Sequence, residues 1–178
     1  SLFGQEVIFA QMPDVVEIGV GLLMATIGLS QVFTQLYLVK HFVVRLGDGY
    51  MILIGTVFRS LSMIVLVVNA SIPAAVLSMF LFAVGAGMQM PALQSLATTT
   101  VGDEMRGGVM GLYQSAFSLA IIFGSAIAGT LFANSPTFPY IVGAVLFAFL
   151  VIPAFFLVRW IQQRDAVMLK MQPAPAGD

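Results

Sequence analysis

An all-α integral membrane protein is the fold class this sequence predicts, and three observations carry it. Apolar runs at roughly residues 15–39, 50–69, 72–98, 108–133 and 138–158 are each long enough to cross ~30 Å of hydrocarbon as a helix. Charged residues make up 8% of the chain and hydrophobic residues 60%, against about 25% charged residues in soluble domains. No core of a 178-residue soluble protein needs that much apolar surface, so lipid is the expected solvent. The third observation is where the cations fall. Lys40 and Arg45 follow the first run, Arg106 follows the third, and Arg159, Arg164 and Lys170 follow the fifth. The gap at 69–71 and the gap at 133–139 carry no charge, and the start of the chain carries only the acids Glu6, Asp14 and Glu17. Lys and Arg mark cytoplasmic loops. The alternation therefore predicts five crossings, with the first gap, the third gap and the C-terminus inside.

Each element has a local reason. Residues 1–12 (SLFGQEVIFAQM) are apolar but too short to span, and read as the outer end of a truncated helix. They lack the basic start and small-residue cleavage site of a signal peptide. The chain starts at Ser1, and a piece of a longer protein is expected. Pro13 breaks that helix. Asp14 stands at an N-cap position with Glu17 three residues on, a capping-box arrangement for the first complete helix. KHFVVRLGDG reads as a short basic loop that turns the chain into the run starting at Tyr50. The run after NAS is long and holds Gly85, Gly87 and Pro91, so a bend is expected there. The next run comes after VGDEMRGG and contains GSAIAG, whose small residues at four-residue spacing suit close helix contact. The last run ends at Trp160, a headgroup-level anchor, and residues 161–178 read as a polar cytoplasmic tail that is disordered at QPAPAGD. The domain reading is thus 1–12, the helical bundle 13–160, and the tail 161–178.

Composition also excludes functions. Net charge is −1 and the basic residues are scattered, which argues against a nucleic-acid partner. Without cysteine there is no disulfide, thiolate metal site or cysteine nucleophile. His41 is the sole histidine, so a metal site is not expected and a solvated side chain is. The glycines do not form a phosphate loop, because no Lys-Ser/Thr comes after them. His, Asp and Glu are scarce within the runs, which argues against an enzyme, and no cofactor is implied.

Two loops carry a resemblance. LVKHFVVRLGDGYMILIG resembles the weaker copy of the G-x-L-a-D-R-x-G-R-k loop of major facilitator superfamily transporters, found between their eighth and ninth helices. Arg45 and Gly47 match its R-x-G core; Val44 replaces the acid, and Asp48 and Gly49 replace the basic pair. PALQSLATTTVGDEMRGGVMGLYQSAFSLAIIFGSAIAGTLF is similar to the tenth-to-eleventh helix region of drug/proton antiporters in that superfamily, with Pro91, Glu104, Arg106, Gly107 and Gly111 at the p-x-l…e-x-R-G-x-x-x-G positions. The likeness spans nearly the whole chain. It implies a C-terminal six-helix bundle, with five complete transmembrane helices and the end of one, that pairs with an N-terminal six-helix half.

Chemistry and that likeness together single out candidate residues. Arg45, Gly47 and Asp48, with Glu104 and Arg106 in the next loop, form a gating-loop set. Gly47 permits a tight turn, and Arg45 suits either an exposed helix carbonyl or an acid on a neighbouring helix. The plain alternative is a basic loop that sets topology. Arg59 lies about eleven residues into its helix, roughly 16 Å deep at 1.5 Å per residue. A charge there costs on the order of 3 kcal/mol or more unless paired or wet. It is either a substrate or coupling residue, or a structural one paired with polar groups of adjacent helices; the likeness makes this helix peripheral. Gln31 and Gln35 share a face with Met24, Gln114 aligns with Ser115 and Ser118, and Met88 and Gln89 adjoin Pro91. These residues suit either a wide Met- and amide-lined cavity for greasy solutes or interhelical hydrogen bonding. Glu6 suits either a cationic substrate or proton, or the water interface.

Alternating-access efflux of a hydrophobic or amphipathic small molecule, coupled to protons, is the function expected, in a bacterial inner membrane. Its partners are the lipid bilayer, the solute, protons and the N-terminal half. Uptake of a metabolite and a non-transporting, transporter-like membrane subunit are the alternatives.

Overall fold

The computed structural model describes residues 16–69 and 71–171, and the side chains among them apart from 42–44 and 165–171. The reading of residues 1–12, the Pro13–Asp14 cap and Glu6 lie outside the described residues. All described elements are helices: α1 (Val16–Phe33), a π-helical segment (Thr34–Val39), α2 (Lys40–Val68), α3 (Ile72–Thr99), a one-turn 3₁₀ segment (Asp103–Met105), α4 (Arg106–Asn134) and α5 (Phe138–Met171). Five spans are long and apolar enough to cross a membrane: Val16–Val39, Arg45–Val68, Ile72–Thr99, Asp103–Asn134 and Phe138–Arg164. They coincide with the five apolar runs. The fold class is therefore as expected, an all-α multi-pass membrane protein.

The boundaries reflect local chemistry. Ser71 caps α3 by accepting from the Ala74 N–H at 3.4 Å, and Pro73 sits in the first turn, where a missing N–H is harmless. Asn69 ends α2 in extended backbone, and Ser135 does the same for α4. Pro91 lies inside α3, which stays helical to Thr99. The basic stretch after the first run is not an open loop. Residues 40–46 are helical, because Lys-His-Phe-Val-Val-Arg-Leu holds no breaker, and the one non-helical residue within α2 is Gly47 at φ 75°, ψ 168°. That conformation belongs to glycine, since any Cβ would strain it. The last helix does not end at Trp160 either. It runs on to Met171, because 161–171 contain neither glycine nor proline and are rich in good helix formers.

Packing is uneven. α3 is the hub: α1 and the π segment pack on it from one side and α2 from another, and α5 packs on α2. One core cluster joins α2, α3 and α5 through Met51, Ile52, Val84, Met88, Ala92 and Ala154. A second, toward the opposite end of the spans, joins α1, α2 and α3 through Leu23, Leu66 and Ala75. Helices α2 and α3 touch backbone to backbone. A Cβ on Gly85 would lie 2.6 Å from the Gly55 carbonyl oxygen, and one on Gly55 would lie 2.7 Å from the Gly85 carbonyl oxygen. Gly87 leaves room for Thr34 of the π segment, whose methyl is 3.0 Å from where its Cβ would be. In lipid no hydrophobic force drives one apolar helix onto another, so close approach at small residues supplies the contact. Helix α4 differs, since none of its residues is buried. A Cβ added at Gly124 or Gly129 of GSAIAG would meet no other part of the described structure within 4 Å. The close contact expected of that stripe is not made among the described residues, because α4 meets α3 and α5 only lightly.

Candidate functional site

The intramembrane charge on α2 is engaged from two other helices. Arg59 on α2 donates from Nη1 to Gln89 Oε1 on α3 at 3.0 Å. Its guanidinium carbon lies 4.7 Å from the Phe82 ring centre on α3 and 4.6 Å from that of Phe147 on α5. Gln89 in turn donates from Nε2 to Thr56 Oγ1 at 3.2 Å, and the Thr56 hydroxyl donates to the Ile52 carbonyl at 2.7 Å. Every donor in this chain points the same way, and it closes on a backbone carbonyl. Arg59 Nε alone is buried with no partner among the described residues. Magnitudes show why the arrangement is tolerated. Two desolvated ring faces contribute about 1–2 kcal/mol each. A hydrogen bond to a charged group contributes about 1.5–3 kcal/mol. Together, at roughly 3.5–7 kcal/mol, they offset a cost on the order of 3 kcal/mol or more for placing the charge there. The structural reading of Arg59 is thus the one its surroundings fit: a paired cation between α2, α3 and α5.

Buried hydroxyls close the same interior. Thr34 and Thr56 back-bond to the carbonyls four residues earlier, and Ser62 to that of Arg59. Ser78 of α3 donates across to the Ser62 carbonyl of α2 at 2.8 Å. These small polar side chains pack without leaving an unsatisfied group.

The residues expected to line a cavity are divided by the fold. Met88 is 1% exposed and belongs to the core, and Gln89 is bonded as above. Gln31 is half-buried, with its carbonyl near Gly87, whereas Gln35 and Met24 are exposed. Between Gln31 and Gln35 the chain enters the π segment, whose wider turns rotate the residues beyond its start. The two amides, four residues apart, thus differ in exposure. Gln114 and Ser118 are exposed on α4, and Ser115 back-bonds to the Gly111 carbonyl at 2.8 Å.

The gating-loop residues are likewise separated. Asp48 Oδ2 accepts from Ser95 Oγ at 2.7 Å, tying α2 to α3. Gln162 Nε2 donates to the Tyr50 hydroxyl at 3.0 Å, tying α5 to α2. These two bonds flank a cleft of about 240 Å³ that also includes Gly47, Thr99 and Arg164. Arg106 pairs with Asp103 at 3.0 Å, both exposed, and Glu104 is exposed in the 3₁₀ turn. Arg45 makes no ion pair among the described residues. No three His, Asp or Glu side chains among the described residues gather within metal-ligating range. Ser95, Tyr50, Phe82 and Phe147 were not legible as partners in the sequence, since each contact links helices far apart along the chain.

Five apolar spans, a small-residue helix crossing and loops with the R-x-G pattern set the context for the comparison with known families. The model of the Major Facilitator Superfamily matches residues 1–175. The chain belongs to the major facilitator superfamily. No curated protein and no solved structure matches it. Membership makes secondary transport the activity in general, and places the lipid bilayer and a small substrate among what the chain contacts. In this superfamily protein Arg59 and Gln89 join helices, whereas Gln35, Gln114 and Ser118 are exposed.

Proposed function

We propose that the chain is the C-terminal half of a proton-coupled, alternating-access exporter of hydrophobic or amphipathic small molecules. One observation carries the reading. The polar groups left exposed along the spans, Gln35, Gln114 and Ser118, are uncharged, whereas the charge within α2, Arg59, is absorbed by Gln89, Phe82 and Phe147. A wall of this kind offers amides, hydroxyls and apolar surface such as Met24, but no fixed charge. It suits solutes of variable shape held by dispersion and a few hydrogen bonds. The likeness of the Arg45–Gly47 and Glu104–Arg106 loops to the superfamily's later helices supports the C-terminal assignment. The N-terminal six-helix half supplies the opposite wall, and the two rock about a midplane site. No Asp or Glu lies mid-span between residues 16 and 160, so the coupling acid is Glu6 or belongs to the other half. The bundle lies in a bacterial inner membrane with the basic ends of its spans in the cytoplasm.

Transport of an amphipathic dye by the full-length protein tests this. Gln35→Leu at normal expression lowers the rate severalfold, while Gln89→Leu lowers folded yield instead. Unchanged transport by Gln35→Leu together with Gln114→Leu removes this wall from the solute path.

A further inference from the structure

The cations at the basic ends of the spans are not equivalent. Arg106 is paired with Asp103, Arg159 lies 4.8 Å from the centre of the Phe155 ring, and Arg164 lies 5.6 Å from that of the Trp160 ring. Lys40 and Arg45 have no such partner among the described residues, and both are exposed. They share a groove of about 550 Å³ with Leu36, Tyr37 and His41. Tyr37, His41 and Arg45 recur at four-residue spacing, so one helix face carries a phenol, an imidazole and a guanidinium, with the Lys40 ammonium beside them.

The same face changes character one turn deeper. Leu29, Val32, Phe33 and Leu36 are all exposed, and the Phe33 ring centre is 5.1 Å from that of Tyr37. A cationic tier thus stands directly against an apolar tier, with Tyr37 at the boundary where an amphipathic ring belongs. A soluble anion matches only the first tier. An anionic phospholipid matches both: its phosphate oxygens accept from Lys40, Arg45 and the Tyr37 hydroxyl, and an acyl chain lies along Phe33 and Leu36. Juxtamembrane Lys and Arg attract anionic headgroups with about fivefold affinity per cation.

We infer that the groove formed by Leu36, Tyr37, Lys40, His41 and Arg45 binds an anionic phospholipid of the leaflet that meets the basic ends of the spans. The inference is independent of the solute and of the direction of transport.

Native mass spectrometry of the full-length protein, purified with equal phosphatidylglycerol and phosphatidylcholine, reads the bound lipid directly. Wild type retains phosphatidylglycerol preferentially. K40Q/R45Q lowers that retention tenfold or more with phosphatidylcholine unchanged; K40R/R45K preserves it, and R159Q leaves it as in wild type. The single variants K40Q and R45Q each give about a fivefold loss, so the result stands if the double variant folds poorly. Equal retention by K40Q/R45Q overturns the site. An equal loss in R159Q reduces it to the general surface potential and overturns it too. Displacement of the lipid by excess inorganic phosphate assigns the groove to a soluble phosphorylated anion instead of a lipid and overturns it as well.

Discussion

Helices α3 and α4 are built from similar residues and are used in opposite ways. Both are long, apolar and rich in glycine, alanine and serine. Helix α3 buries Ala75, Ser78 and the stretch from Ala83 to Met88, whereas α4 buries nothing. Gly85 of α3 stands against the Gly55 backbone, and Gly124 of α4 stands in open space. Small residues therefore permit contact without dictating it. What distinguishes the two helices is whether a neighbour presents a matching gap, as Gly55 does for Gly85.

A pair of alanine substitutions puts this contrast under the greatest strain. Gly85→Ala drives a methyl into the Gly55 carbonyl, where backbone cannot yield, and lowers stability by about 3 kcal/mol. Gly124→Ala is neutral or slightly stabilising, because alanine is the better helix former and nothing is in the way. Thermal melting in detergent reads both, and equal shifts would erase the distinction. Next in size is Gln89→Leu, which leaves Arg59 buried without its acceptor and costs about 2 kcal/mol. Arg59→Met in that background restores much of the loss, since replacing both partners by apolar groups removes the uncompensated charge. A stable Arg59→Met protein that fails to transport would instead make Arg59 a coupling residue. Gly47→Ala costs about 1–3 kcal/mol through its positive φ alone, because open space surrounds it. The smallest effect is at the exposed Arg106–Asp103 pair, where Asp103→Asn shifts stability by under about 0.5 kcal/mol.

Much of the architecture was legible from the residues alone. The five spans lie where hydropathy puts them, and Gly47 is the one residue of its stretch that needs glycine's backbone freedom. The cavity residues were less legible. Met88 and Gln89 share the composition of Met24 and Gln31 but sit between α2 and α3, and helical spacing does not say which face a neighbour covers. The π segment was invisible because TQLYLV carries no signature that separates it from ordinary helix. It begins at Thr34, between Gln31 and Gln35. Helix α5 outran its apolar stretch because hydropathy marks where lipid ends, not where backbone hydrogen bonding ends.

Hydropathy and charge order were enough to count the crossings and to locate the cations, because transfer of each residue into hydrocarbon is a local property summed along the chain. The packed helices alone reveal that Arg59 meets Gln89, Phe82 and Phe147, and that Gly55 rather than Gly124 makes a helix contact. They also reveal that Arg159 and Arg164 lie over aromatic rings while Lys40 and Arg45 have no such partner among the described residues. Those outcomes depend on rotation and crossing of whole helices, which join residues tens of positions apart and leave no local trace.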